Sequence, residues 1–363
     1  MVDLFEPLSF AHGPPMKNRF MLAPMTNTQS HADGRLSDDE QRWLVMRAAG
    51  GFGLTMTCAA HVQARGQGFP GQLGIVSDQH VEGLTRLASG IKAEGSLAVV
   101  QLHHAGMRSP RELIGAEPLC PSSDAKTGAR EMTPAEVQQV IEDFVAAGER
   151  AQRCGFDGIE IHGAHGYLLA QFLSGKYNRR TDDYGGSFEN RARILFEIIA
   201  GIRGRCGNEF SLGLRLSPER FGQNLIECQQ LAAQAMALEA LDYLDMSLWD
   251  FDKEPHEPEH QGRPLRDFFL ELDRGSTRLG VAGKVYSAAA ARQCVDEGFD
   301  FVSIGRGAIL HHDFPRLVQA DRDFVIRPLP VSPAYLRAEG LGEAFIEYVR
   351  RWEGFVGEER AAD

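Results

Sequence analysis

The sequence predicts an α/β fold, a (β/α)₈ (TIM) barrel, on three observations. Eight short apolar segments alternate with amphipathic ones along 363 residues, the pattern of parallel strands covered by helices. Glycines, histidines and arginines gather just after the apolar segments, where a barrel opens. The main competitor, a doubly wound sheet, is weakened because no G-x-G-x-x-G turn follows the first segment.

The elements follow in order. Residues 19–24 (RFMLAP) form the first strand, ended by Pro24, and 39–49 form its helix. Residues 53–58 (GLTMTC) are the second strand. Over 78–94, Val81, Leu84, Leu87, Ala88 and Ile91 fall on one helical face. The third strand is 97–102 (LAVVQL). A polar excursion over 103–131, with Pro110, Pro118 and Pro121, then interrupts the repeat. Loops this long are usually functional, and this one is expected to be lid-like. Thr133-Pro134-Ala135-Glu136 starts a helix that runs to about residue 154, with a capping hydroxyl, proline at the first position and glutamate three on. The fourth strand is 159–162, followed by a helix within 187–206. The fifth strand is 211–216 (SLGLRL), with a helix over 226–238. The sixth strand is 243–248 and the seventh 278–282; a helix over 288–297 leads to the eighth, 301–304. The barrel thus covers about 19–320, and 321–363 is a C-terminal appendage. No linker divides the chain, so 1–363 is read as one domain.

Fifty acidic against 38 basic residues give a net charge of −12, which argues against nucleic acid and anionic membranes as partners. The expected partners are a small-molecule substrate and, in a homo-oligomer, further copies of the chain. Six cysteines are scattered without a C-x-x-C pair, which disfavours zinc or iron–sulfur sites and suits a reducing compartment. The N-terminus, MVDLFEPLSF, lacks the features of a signal peptide. A cytoplasmic location is therefore expected. No apolar run approaches the roughly 20 residues of a membrane span.

The chemistry concentrates at the end of the fourth strand, in His162-Gly163-Ala164-His165-Gly166-Tyr167. Imidazoles can donate hydrogen bonds to a developing oxyanion, and a phenol can give a proton. Together they fit reactions that polarise a carbonyl or nitro group and protonate a neighbouring atom. The His-x-x-His spacing also suits a metal pair, but no HExxH, DxH or cysteine pair accompanies it, so no metal is expected. At other strand ends stand Pro24-Met25-Thr26, Gln101 and Arg215. Gln101 and Arg215 sit inside apolar runs, where an amide needs partners and a guanidinium needs a salt bridge or an anionic ligand. Gly283 and Gly305-Arg306-Gly307 end the seventh and eighth strands, the positions where such barrels often seat a phosphate.

These residues carry a family resemblance. The stretches LFEPLSF, KNRFMLAPMT, VVQLHHAGM, EIHGAHGYLLAQFLS, NRRTDDYGGSFENRARILFEII and FVSIGRGAILHHDFP run from Leu4 to about Gln319. They resemble the old yellow enzyme family of FMN-dependent oxidoreductases. The resemblance implies that Pro24, Met25 and Thr26 line the flavin, Ala59 approaches it by its backbone, and Gln101 bonds its pyrimidine edge. It implies Arg215 beside N1 and the C2 oxygen, with the phosphate on Gly283, Gly305 and Arg306. His162 and His165 would bind the substrate oxygen and Tyr167 would donate the proton, with NADH or NADPH as hydride donor. One family branch has cysteine where Thr26 stands and an aromatic residue where Thr28 stands, so Thr28 and Trp249 are expected to shape a different substrate pocket. Cys58 replaces a glutamate, and 250–262 has no counterpart. The implied activity is reduction of the C=C bond of α,β-unsaturated carbonyl or nitro compounds. Flavin-dependent amine oxidation or demethylation, a flavin protein without turnover, and a metal-dependent barrel hydrolase are the alternatives.

Overall fold

The computed structural model describes residues 2–358; the end of the expected appendage, 359–363, lies outside the described residues. Eight strands close into one barrel: β1 Phe20–Leu22, β2 Leu54–His61, β3 Leu97–His103, β4 Gly158–Gly163, β5 Ser211–Leu216, β6 Tyr243–Ser247, β7 Arg278–Ala282 and β8 Phe301–Ile304. Each pairs in parallel with its neighbours in sequence, and β8 closes on β1 through Phe20↔Val302. The outer ring is α1 Asp38–Ala49, α2 Val81–Ala93, α3 Pro134–Arg153, α4 Phe188–Cys206, α5 Leu225–Ala237, α6 Asp267–Leu270, α7 Ala288–Asp296 and α8 Phe314–Ala320.

Helix starts follow local chemistry. The Thr133 hydroxyl accepts from Glu136 N (3.2 Å), and the Glu136 carboxylate accepts from Thr133 N (2.8 Å), closing the capping box of α3. Ser187 and Asn224 cap α4 and α5 with one bond each, their side chains accepting from Asn190 N and Glu227 N. Departures from the sequence pattern are local. β2 continues to His61 through a register irregularity between Met56 and Ala59, because a bulge lets the strand bend along the rim. The helix expected over 78–94 begins as a separate 3₁₀ turn, Asp78–His80, before α2. The excursion after β3 holds a short parallel pair, Leu119–Cys120 with Arg130–Glu131. Arg180 ties it down from the segment after β4, donating to Pro121 O (3.0 Å) and Met132 O (2.5 Å). The segment 250–262 is braced at both sides: Glu219 accepts from His256 N (2.5 Å), and Glu257 accepts from Leu225 N (2.9 Å) at the start of α5.

The C-terminal part adds two helices, α9 Pro333–Ala338 and α10 Glu343–Arg350. They dock on α1 and α8's approach: the Phe345 ring meets Trp43 edge-on at 5.3 Å, and Tyr335 Oη donates to Leu310 O (2.6 Å). Among the described residues no helix is long and apolar enough to cross a membrane.

The barrel interior is layered, because alternate strand residues point inward. At the N-terminal end Met21, Leu54, Val99, Tyr243 and Phe301 form an apolar plug, closed from below by Leu8 and Met16 of the N-terminal segment. Room for the two large rings comes from glycine: a Cβ on Gly213 would lie 2.0 Å from Tyr243 Cζ, and one on Gly280 would lie 2.1 Å from the Phe301 ring. Tyr243 cannot swing away, since Phe301 and Phe10 hold its ring at 5.7 and 5.6 Å. Gly213→Ala should therefore overpack the plug and lower stability by about 1–3 kcal/mol. A urea midpoint equal to that of the wild type would contradict this packing.

Candidate active site

The polar residues sit one layer above the plug and climb toward the mouth. β4 carries Glu160 and then His162, β3 Gln101 and then His103, and β6 Asp245 and then Ser247. The register sets them side by side: Gln101↔Glu160, His162↔Arg215 and Arg215↔Asp245. Above them opens a cavity of two lobes. One, of about 430 Å³, is lined by His162, His165, Tyr167, Gln101, Thr26 and Ala59 among others. The second, of about 260 Å³, is lined by Arg215, Gly283, Gly305 and Arg306. Pro24, Met25 and Trp249 line both.

The two histidines form part of a directed chain. Ala164 N donates to His162 Nδ1 (3.2 Å), so the neutral ring carries its proton on Nε2. That Nε2–H points at His165 Nδ1 (3.2 Å), which places the second proton on His165 Nε2, 2.8 Å from Ser247 Oγ. Burial, reinforced by neighbouring cations, holds His162 well below the usual imidazole range and His165 down to about 3. Both rings therefore stay neutral and present N–H groups. Tyr167 packs edge-on against His103 and His162 at 4.4 and 5.2 Å. Burial raises its pKa and the adjacent Arg108 draws it back, so the phenol stays protonated. Arg108 lies 4.5 Å over the Tyr167 ring and donates to His165 O (2.6 Å).

Beneath the cavity, Gln101 Nε2 donates to Glu160 Oε1 (2.7 Å) and Ser303 Oγ donates to Asp245 Oδ1 (3.0 Å). Arg215 Nε lies 3.3 Å from Asp245 Oδ2, near enough for an ion pair but off-line for a hydrogen bond, and its Nη1 has no protein partner. Burial raises the pKa of both carboxyls; Asp245 pushes Glu160 further, while Arg215 opposes the rise at each.

The expected site residues can now be placed. Pro24, Met25, Thr26, Ala59, Gln101, Arg215, Gly283, Gly305 and Arg306 all line one lobe or the other, as do His162, His165, Tyr167 and Trp249. Thr28 does not. Its hydroxyl is turned to Asn27 O (2.7 Å) and Ala344 O (3.1 Å), so it fastens the C-terminal segment instead of shaping the pocket. Trp249 stands 66% exposed with φ of +69°, between the lobes. Sequence reasoning missed Arg108, Ser247 and Trp352. Ser247 was readable as a strand end, but Trp352 reaches the second lobe from the far C-terminus, with the Arg306 guanidinium 5.1 Å over its ring.

The second lobe and the floor fit a flavin mononucleotide. The unpartnered Arg215 Nη1 suits the electron-rich pyrimidine edge, and Gln101 keeps its carbonyl free for the same edge. At the rim a Cβ on Gly283 would lie 2.7 Å from Phe251 N, so only glycine permits the strand end there. Gly305 and Arg306 supply donors suited to phosphate.

Comparison with known proteins agrees. The family model for the NADH:flavin oxidoreductase / NADH oxidase family matches residues 3–324. A probable NADH-dependent flavin oxidoreductase of Bacillus subtilis is 35% identical over 331 residues, covering 88% of each chain. An NADH:acrylate oxidoreductase of Vibrio harveyi is 32% identical over 85% of this chain, but only 32% of that longer protein is spanned. Morphinone reductase, solved as a variant with tetrahydroNAD, superposes with a TM-score of 0.79 at 28% identity, covering 93% of this chain and 94% of that one. The chain belongs to the NADH:flavin oxidoreductase / NADH oxidase family and is an FMN-dependent NAD(P)H oxidoreductase of the old yellow enzyme type.

Proposed function

We propose that the enzyme reduces the C=C bond of α,β-unsaturated carbonyl or nitro compounds. One observation carries this reading: two neutral imidazoles, linked to each other and to Ser247, and a protonated phenol line a lobe that adjoins the flavin lobe. FMN, when bound, supplies hydride relay between the nicotinamide and the substrate. The protein's part is to hold and protonate. His162 Nε2–H and His165 Nε2–H can leave His165 Nδ1 and Ser247 Oγ for a substrate oxygen, which polarises the conjugated double bond. Tyr167, kept protonated by its burial, then gives its proton to the α-carbon. Thr26 and Gln101 line this lobe and would orient the ring.

The tautomers weigh against a metal pair. His162 Nδ1 accepts from a backbone N–H and His165 Nδ1 accepts from His162, so neither imidazole turns a lone pair to the cavity. The Vibrio harveyi relative is named for an activated alkene, acrylate.

Two outcomes test the reading. Tyr167→Phe should leave flavin reduction by NAD(P)H nearly unchanged and slow the half-reaction with cyclohexenone by on the order of 10²–10⁴. A nitroalkene should suffer less, since its nitronate can be protonated by water. Stopped-flow traces showing equal enone rates in both proteins would remove Tyr167 from the chemistry. Second, because His162 and His165 stay neutral, the affinity for a phenol that mimics the enone oxygen should be flat from pH 8 to 5. Replacing both with Ala should abolish the long-wavelength absorbance of that complex while flavin content is kept. Affinity that rises as the pH falls would mean that imidazolium is the binding form.

A further inference from the structure

The mouth of the cavity is cationic in an acidic protein. The chain carries a net charge of −12, yet among the described residues no carboxylate lines either lobe, and five basic side chains do. Three of these lie in the flavin lobe: Arg215 at the floor, Arg306 at the rim, and Lys284, which is paired with Asp250 at 2.8 Å. The other two, Arg108 and Arg220, lie in the substrate lobe.

Arg220 is the more telling. Its guanidinium makes no hydrogen bond or ion pair among the described residues. Its backbone is held at φ +68°, and Phe221 follows at +53°. Two consecutive non-glycine residues in the left-handed region are held at a cost of order 1–3 kcal/mol each. The loop is pinned there from outside: Ser174 Oγ donates to Gly222 O (2.7 Å), and Phe221 packs where a Cβ on Gly166 would come within 2.7 Å of its ring. So a strained, fastened turn places an exposed arginine without a protein partner at the rim of the lobe that holds His162, His165 and Tyr167. In the same lobe the exposed Arg108 donates to His165 O and lies over the Tyr167 ring, with the rest of its fork uncommitted.

We infer that Arg108 and Arg220 form an anion site, and that the preferred substrates are activated alkenes bearing a carboxylate away from the polarised oxygen. The inference rests on the function proposed above for the location of the substrate, but not on turnover. The histidine pair fixes one end of the ligand, and the arginines select what its other end carries. Apolar walls from Phe69, Phe221 and Trp249 leave the middle free to take an unsaturated or aromatic body.

The test is binding to the FMN-loaded enzyme, followed by the flavin spectrum and by calorimetry. The probes are 4-hydroxybenzoate and 3-hydroxybenzoate against their neutral methyl esters. At least one acid should bind roughly tenfold more tightly than its ester, as suits a charge-assisted pair, and the preference should shrink as salt is raised. Arg220→Gln should reduce the acid-to-ester ratio to about one; Arg220→Lys should keep most of it, and shows that the turn tolerates replacement. Acids that bind no better than esters in the wild type would overturn the inference. So would a ratio that survives Arg220→Gln, or a variant that loses affinity only for NADH or NADPH, which would assign the cations to dinucleotide phosphates. Alkene reduction is assayed separately with cyclohexenone, so loss of that activity with an intact acid preference would overturn the proposed reaction and leave the anion site standing.

Discussion

Arg215 faces two buried carboxyls, Glu160 and Asp245, and it is the cation that opposes the rise in pKa at both. Burial favours the neutral form of each carboxyl, and at Glu160 the charge of Asp245 adds to that push. This unequal trio dictates the polarity of everything above it. Glu160 accepts the Gln101 amide, which turns the Gln101 carbonyl to the cavity. Asp245 is held by Ser303 and lies off-line from Arg215, which leaves guanidinium N–H groups for a ligand. Parallel register makes the arrangement possible: it sets Gln101 of β3 beside Glu160 of β4, and Arg215 of β5 between His162 of β4 and Asp245 of β6.

The turn after β4 does comparable work with fewer atoms. A single backbone N–H, that of Ala164, sets the tautomer of His162, and the choice passes through His165 to Ser247. His165 itself sits at φ +60° and Gly166 at +70°, so the chain turns sharply enough to bring both rings and Tyr167 to one lobe. Ser217 Oγ fixes the turn by accepting from His165 N (3.0 Å).

Much of this was legible in the sequence, and the reason is geometric. In a barrel the ends of eight strands converge, so residues far apart in the chain but alike in position meet at one mouth. That is why Pro24, Gln101, His162, Arg215, Gly283 and Gly305 could be assembled from strand ends alone. Arg108 and Trp352 escaped because their segments have no repeat to anchor them. Arg108 lies in the excursion after β3, and Trp352 returns from the C-terminus to cover Arg306. Thr28 was expected at the pocket from the family resemblance alone, yet its hydroxyl is turned to Asn27 O and Ala344 O. The β2 bulge left no mark in its apolar pattern, because a bulge changes pairing and not composition.

The apolar plug at the N-terminal end has a consequence for traffic. Leu8 and Met16 seal the barrel below Tyr243 and Phe301, and Phe10 backs the seal. The cavity is thus a vessel with one doorway. Whatever docks over the histidines must enter and leave past Trp249 and the cationic rim, by the same route as its predecessor. Closure of the N-terminal end by the plug therefore puts arrival and departure of any ligand on one face of the barrel.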